Sequence, residues 1–372
     1  MSADLEIQLI AVIVSAACAL PGTFLVLRKM SMMSDSITHT ILLGIVLAFF
    51  VTHDLSSPFL IVGAAVIGVV TVWLTETVTK TKLVSEDSAI GIVFPLLFSI
   101  AIILITRYAG SVHLDTDSVL LGELAFAPFD RLVVFGVDIG AKAIYTSAVL
   151  LIINILFITI FYKELKVVTF DPMLAAIMGF SPAFLHYGLM TLVSLTTVGA
   201  FEAVGSVLVV AFMIGPPATA YLLTDDLKHM LWLSGGFGAA TGILGYQMAS
   251  ALDVSIAGSM AVVTGLLFAV AFIFAPNRGF LSIVHRKNNQ RQEFAEATLL
   301  LHLYHHYGLA EAMQENGITT IAEHLHWEQK KLDRTITSLV QKKKVELKNG
   351  VLIPTEKGMD IEREFAQMLG SN

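Results

Sequence analysis

Residues 8–27 read QLIAVIVSAACALPGTFLVL, and Arg28 and Lys29 follow at once. A helix needs about 20 mostly apolar residues to cross the hydrocarbon core of a bilayer. The basic pair at its end marks a boundary between lipid and water. Asp4 and Glu6 precede the run where a signal peptide would carry Lys or Arg, and no small-residue cleavage site follows. The run therefore reads as a retained span. Similar runs follow near 38–52, 58–78, 89–106, 143–162, 184–200, 203–222, 231–249 and 256–275. The expected count is about nine spans, with eight to ten allowed. The second run is short and begins in polar residues, and only Gly199 to Glu202 separate the pair between 184 and 222.

Composition agrees. The chain has 372 residues, 55% of them hydrophobic and only 14% charged, with a mean hydropathy of +0.76. A soluble domain carries roughly 25% charge. An ordinary soluble enzyme and a disordered chain are both excluded. A disulfide scaffold is excluded too, because Cys18 is the only cysteine. The charge is unevenly placed. Residues 1–284 hold 11 Lys+Arg against 18 Asp+Glu, whereas 285–372 hold 12 of each and 6 of the 11 histidines. The fold expected is an all-α polytopic membrane domain over 1–284 and a small, water-soluble α+β domain over 285–372.

The bias of Lys and Arg orients the spans. With the N-terminus outside, the inner loops contain Arg28, Lys29, Lys80, Lys82, Lys163, Lys166 and Lys228, then Arg278, Arg286 and Lys287. The outer side holds Arg107, Arg131 and Lys142 in one long segment. This places the tail in the cytoplasm, and a bacterial plasma membrane is the expected location. The same outer segment contains His113, Asp115, Asp117, Glu123, Asp130 and Asp138. It reads either as a negative mouth that concentrates cations or as a solvated loop. Arg107 and Arg131 are candidates for pairing with an extracellular partner.

Ionisable groups at membrane depth are costly and so are functional candidates. The sharpest cluster is Ser34-Asp35-Ser36-Ile37-Thr38-His39. Asp35 and His39 are four residues apart and share a helix face. A carboxylate oxygen with an imidazole nitrogen suits manganese, iron or zinc. Two ligands make an incomplete site, which a homodimer or a paired homologous subunit would double to four. The plainer reading has Asp35 capping the second span and His39 packing between helices. Glu202 reads as an outer turn residue, a gate or a proton group. Glu76 reads as an interfacial residue whose carboxylate reaches water.

The inner loop 163–183 carries a short helix. Asp171 reads as its N-cap with Pro172 at the first helical position, and Gly179 as its stop. The residues between are small and apolar, including Met173, Leu174 and Ala175. Such a helix suits a hydrophobic groove on another protein or packs on its own bundle. No G-x-x-x-x-G-K-[ST] phosphate loop occurs. Active transport would therefore draw on a partner ATPase or an ion gradient.

Three stretches carry a family resemblance. Leu25-Val26-Leu27-Arg28-Lys29-Met30-Ser31-Met32-Met33-Ser34-Asp35-Ser36-Ile37-Thr38-His39 resembles the stretch "FLVLRRMSLMGDALSHA" of permeases in bacterial manganese, zinc and iron ABC importers. Phe170-Asp171-Pro172-x-x-Ala175 with Gly179 resembles their coupling segment. Ala203 to Ala211, Pro217 to Ala220 and Leu222 to Asp225 resemble their "AVGxLLVVALLIxPAATAxLLTD" block. The resemblance covers roughly 1–280. It departs at Ser34, where the family has glycine, and at Glu202. It implies a homodimer or heterodimer of permeases, two cytoplasmic ATP-binding subunits and an extracellular solute-binding protein that delivers the metal. It also makes Asp35 and His39 ligands of the transport path. No tightly bound cofactor is implied: the metal is cargo and ATP sits on the partner, so the chain itself is not an enzyme. An imidazole ligand binds metal only when neutral, so uptake is expected to fall at acid pH.

In the tail, 295–310, Ile318 to Leu325 and Glu328 to Lys343 read as helices. Val345-Glu346-Leu347 and Val351-Leu352-Ile353 read as a hairpin around Asn349-Gly350, and Thr355 opens a last helix. That order reads as a winged helix-turn-helix. It resembles the N-terminal domain of metal-dependent repressors of the diphtheria toxin repressor type, notably at Pro354-Thr355-Glu356-Lys357-Gly358. A DNA or partner contact would use Lys330, Lys331 and Arg334, but the tail is neutral overall and phosphate binding wants a basic surface. His302, His305 and His306 form either a metal-sensing cluster or a solvated face. The reading is thus a permease subunit for a divalent metal, manganese first, with zinc or iron next. The alternatives are a proton-coupled secondary metal carrier and a membrane-tethered, metal-responsive DNA-binding regulator.

Overall fold

A computed structural model describes residues 2–54, 57, 59–108, 124–134, 137–307, 315–348 and 350–358, without the side chains of Val134, Val137 and Glu202. The chain divides into two units, 1–279 and 280–372.

The first unit is a helical bundle. Its elements are α1 (Ala3–Leu27), α2 (Ser31–Thr52), α3 (Phe59–Lys80) and α4 (Glu86–Tyr108), then a hairpin of β1 (Arg131–Val134) and β2 (Val137–Ala141). After it come α5 (Lys142–Ile160), α6 (Tyr162–Phe170), α7 (Pro172–Ile177), α8 (Pro182–Val204), α9 (Ser206–Leu223), α10 (Leu227–Leu252) and α11 (Ile256–Phe274). Eight of these helices are long and apolar enough to cross a membrane. The run expected at 231–249 is also helical: α10 has 26 residues and packs on α1, α9 and α11. Its glycines and polar residues keep it out of the eight.

Two boundaries differ from the sequence expectation. α2 starts at Ser31, not near 38, because its polar residues are satisfied inside the protein. Thr38 Oγ1 donates to the Ser34 carbonyl at 2.7 Å, Ser34 Oγ reaches Met213 Sδ at 3.0 Å, and Thr71 Oγ1 donates to Thr40 Oγ1 at 2.8 Å. α8 runs through 199–202 to Val204, so Glu202 is a helix residue and not a turn residue. The break falls at Gly205, whose φ of 79° favours glycine.

Close helix contacts position the site. A Cβ on Gly44 of α2 would lie 2.4 Å from the Gly63 carbonyl oxygen of α3, so the two backbones touch there. Small residues permit this approach where lipid gives helices no hydrophobic reason to associate. Polar ties add specificity: buried Asn154 of α5 donates to the Ala17 carbonyl at 2.8 Å and to Thr196 Oγ1 at 3.0 Å. On the expected outer side, Arg131 contacts buried Glu6 at 3.0 Å and Asp138 at 2.9 Å, and Lys142 lies 3.6 Å from Asp130. Arg131, Asp130 and Asp138 are thus engaged within the chain, which removes them from a free charged mouth. His113, Asp115, Asp117 and Glu123 lie outside the described residues.

The second unit holds α12 (Phe280–His305), α13 (Ile318–His324), α14 (Gln329–Gln341) and a hairpin of β3 (Val345–Lys348) and β4 (Val351–Pro354). Its core joins Leu299, Leu303, Ile321, Leu332, Leu339 and Leu352. α14 places Leu332, Ile336 and Leu339 on its buried face, at the spacing of an amphipathic helix. Glu296 is buried beneath α14. Burial by itself pushes its carboxyl up, but bonds from Lys342 Nζ (2.7 Å) and Ser338 Oγ (2.6 Å) outweigh that and hold it below the ordinary value. Asn349 and 359–372, where a turn residue and the last helix are expected, lie outside the described residues.

Candidate functional site

Asp35 and His39 sit one turn apart on α2, with His39 Nε2 3.7 Å from Asp35 Oδ1. That exceeds hydrogen-bond distance, so neither group consumes the other. Asp35 lies in the second turn of α2, and the helix start has no side-chain cap. The capping reading is therefore wrong. From Met33 to Thr40 every residue is buried except these two. One face of a buried helix segment thus opens only at a carboxylate and an imidazole. Phe94 and Phe98 of α4 wall the imidazole, with ring centroids 5.2 and 6.0 Å from it. Among the described residues no third His, Cys, Asp or Glu joins them to form a metal-binding group. The pair therefore stands as two potential ligands without a third among the described residues.

A second carboxylate–histidine cluster was not recognised from sequence. Glu76 of α3 contacts His186 of α8. It also accepts from Tyr187 Oη at 2.8 Å and Lys80 Nζ at 3.3 Å. Arg28 Nη1 lies 3.1 Å from His186 Nδ1. Arginine can only donate, so Nδ1 accepts and the Nε2–H faces Glu76. Arg28 Nε also reaches Thr169 Oγ1 of α6 at 3.4 Å. No sequence pattern links Glu76 to His186, because 110 positions divide them and only the packing of α3 on α8 brings them together. The cluster borders a cavity of about 560 Å³ that Lys29, Lys80 and Pro172 also line.

That cavity adjoins α7. The Asp171 carboxylate accepts from the Met173 and Leu174 N–H groups at 3.0 and 2.9 Å, Pro172 takes the first turn, and Gly179 turns the chain away at φ 88°. Ala175 is fully buried among Phe24, Leu165, Leu185 and Leu227. The other face is bare: Met173 and Ile177 are 78% and 79% exposed, and Phe170, Leu174 and Met178 are exposed as well. One small residue thus anchors the helix while its large apolar residues project outward.

In the second unit Lys330, Lys331 and Arg334 share the N-terminal half of α14. With Arg291 of α12 they line a cavity of about 500 Å³ that Glu328 also enters. Lys331 lies over the Trp327 ring, 4.0 Å from its centroid, and Gln329 binds Asp333 at 3.1 Å. His302, His306 and His324 approach one another, with centroids 4.9 and 5.9 Å from His302. Burial pushes the His302 imidazole below its ordinary value.

A bundle of membrane-length helices, with a partly open carboxylate–imidazole pair inside and an apolar helix at one end, defines a multi-pass membrane transport protein. The chain belongs to the ABC 3 transport family, whose profile matches residues 5–275. It is 42% identical over 357 residues to the zinc transport system membrane protein TroD of Treponema pallidum, covering 96% of this chain and 97% of that protein. It is 46% identical over 295 residues to the manganese transport system membrane protein MntD of Bacillus subtilis, covering 79% of this chain and 100% of that protein. Among solved structures it is similar to a chain of PsaBC from Streptococcus pneumoniae in complex with Fab, with a TM-score of 0.63 and 30% identity over 76% of this chain and 95% of that one. MntD is accounted for without about a fifth of this chain, whereas TroD is matched along nearly all of it.

Proposed function

We propose that the chain is the membrane permease subunit of an ABC importer for a divalent transition metal, manganese first and zinc or iron next. One observation carries the reading: Asp35 and His39 are the only partly exposed residues along a buried segment of α2. A carboxylate and an imidazole attract a first-row divalent cation. A half-filled sphere binds it weakly enough to pass it on, unlike a closed structural site. A second permease chain, identical or related, would supply the other half. An extracellular solute-binding protein would load the site. A cytoplasmic ATP-binding subunit would seat the bare face of α7, with Phe170, Asp171, Pro172, Ala175 and Gly179 shaping that contact. Hydrolysis belongs to that partner.

Relatives named for manganese and zinc transport support this reading. The multi-pass bundle supports an inner-membrane location, and the lysine-rich loops support a cytoplasmic tail. For the tail we favour a winged-helix-like regulatory or subunit-contact module over a DNA reader. Glu328 and Asp333 lie among its basic residues, and Trp327 occupies Lys331.

The test is ATP-dependent uptake of manganese, zinc and iron into proteoliposomes holding the chain, its ATPase and its binding protein. Wild type should accumulate one metal and Asp35→Ala should not. Equal uptake by both would remove Asp35 from the path. Uptake without the ATPase, abolished by collapsing a proton gradient, would favour the secondary-carrier alternative.

A further inference from the structure

A groove in the bundle lies away from Asp35 and His39. It has a volume of about 750 Å³ and runs between α5 and α10 over α1. Ala16 and Leu20 of α1 line it, and both are partly exposed. On α10 it is lined by Lys228, Leu231, Trp232, Gly235 and Gly236, the i, i+3, i+4, i+7, i+8 stripe of one helix face. On α5 the stripe runs from Leu151 to Ile158 and Thr159, and the groove continues to Tyr162.

The two glycines separate this groove from ordinary helix packing. α10 uses Gly238, Gly242 and Gly245 for close approach: a Cβ there would lie 3.2, 3.2 and 2.5 Å from Ser15, Ala11 and Met260. A Cβ on Gly235 or Gly236 would meet nothing within 4 Å. Each glycine costs a helix roughly 1 kcal/mol relative to alanine, and no contact within the chain explains that cost at these two positions. What they leave is space on a face that opens to lipid.

The ends of the groove say what fills that space. Leu151 to Tyr162 spans about 16 Å at 1.5 Å per residue, roughly half of a 30 Å hydrocarbon core, so the groove serves one leaflet. Its apolar length ends at the Tyr162 hydroxyl, the indole of Trp232 and the Lys228 ammonium. Tyrosine and tryptophan favour the headgroup level. Lys228 is exposed and forms no ion pair among the described residues. The neighbouring Asp226 is engaged, since it caps α10 through the His229 N–H at 2.9 Å and faces the His229 ring at 3.2 Å. Lys163 and Lys166 follow Tyr162 on α6.

We propose that this groove binds one anionic phospholipid of the inner leaflet, with an acyl chain along Gly235 and Gly236 and the headgroup phosphate at Lys228. Basic pockets between membrane helices on the cytoplasmic side recognise such headgroups. The site is independent of the metal path.

The test reconstitutes the full chain in bilayers of equal phosphatidylglycerol and phosphatidylethanolamine, extracts it in mild detergent and counts retained lipids by native mass spectrometry. Wild type should keep one lipid per chain, with phosphatidylglycerol favoured about fivefold, the effect expected of one lysine at an anionic surface. Gly236→Leu should empty the groove. Gly265→Leu should change nothing, because that glycine also faces open space but lies on α11, outside the groove. Lys228→Gln should keep the lipid and erase the preference. Equal retention by Gly236→Leu and Gly265→Leu would overturn the proposal. So would wild-type retention of both lipids alike. Loss of a chain–chain complex in Gly236→Leu with lipid retained would make the groove a protein interface instead.

Discussion

Two carboxylate–histidine pairs lie in one bundle, and they are built in opposite ways. Glu76 and His186 are tied to neighbours: Tyr187 and Lys80 donate to Glu76, and Arg28 lies against His186. Asp35 and His39 are left open at 3.7 Å, with two phenylalanines as the imidazole's neighbours. The same side-chain chemistry thus makes a joint between helices in one place and a partly exposed, unjoined pair in the other. Residue type does not distinguish them; the number of partners does. The tied pair joins helices, whereas the open pair keeps its donor atoms partly exposed.

Mutating the open pair should give the largest functional effect. Asp35→Ala or His39→Ala should lower metal uptake by about 100-fold or more, since outer-shell partners alone are worth 10–100-fold, while thermal unfolding stays within a few degrees of wild type. A large loss of stability with uptake unchanged would reverse the two roles. Next comes the α7 face. Ile177→Glu places a charge where a partner's apolar groove is expected and should reduce coupled ATP hydrolysis and uptake together, with the fold intact because Ile177 is 79% exposed. Unchanged ATPase stimulation would mean α7 is not the contact.

The closed pair should behave in the opposite way. Glu76→Ala strands His186 and Arg28 and should cost about 2–3 kcal/mol, read as a lower unfolding temperature in detergent. Uptake per folded molecule should fall far less than for Asp35→Ala. In the tail, Glu296→Ala should cost about 1–3 kcal/mol, seen as faster hydrogen exchange in α12 and α14 of the full chain. The Glu296 carboxyl is held below its ordinary value. Its contribution is therefore present above the unfolded-state pKa and lost as pH falls through the folded one. His302, also lowered, acts in the same direction, so tail protection should decline on acidification, and Glu296→Gln should flatten that decline. The smallest effect belongs to Lys330→Ala with Lys331→Ala and Arg334→Ala, which should leave uptake unchanged. Salt-dependent DNA binding by the full chain that this triple change removes would restore the regulator reading.

Much of this was legible in the chain. Twenty-residue apolar runs set the helices because lipid cannot satisfy backbone groups. The Asp171-Pro172 start and Gly179 stop of α7 followed from local capping chemistry alone. The one-turn spacing of Asp35 and His39 put them on one face before any packing was considered. Tertiary structure decided the rest, wherever polar groups found partners distant in sequence. Met213 and Thr71 let α2 begin seven residues early. Gly205, not Gly199 to Glu202, took the bend because φ there is positive. Glu76 met His186 only through the contact of α3 with α8. Arg131 found Glu6 across 125 residues. A sequence states which side chains carry charge and where a helix can form. Whether a charge is spent on a neighbour or left open is settled only when distant helices pack, because the desolvation that makes a buried group costly is also what makes its partner count decisive.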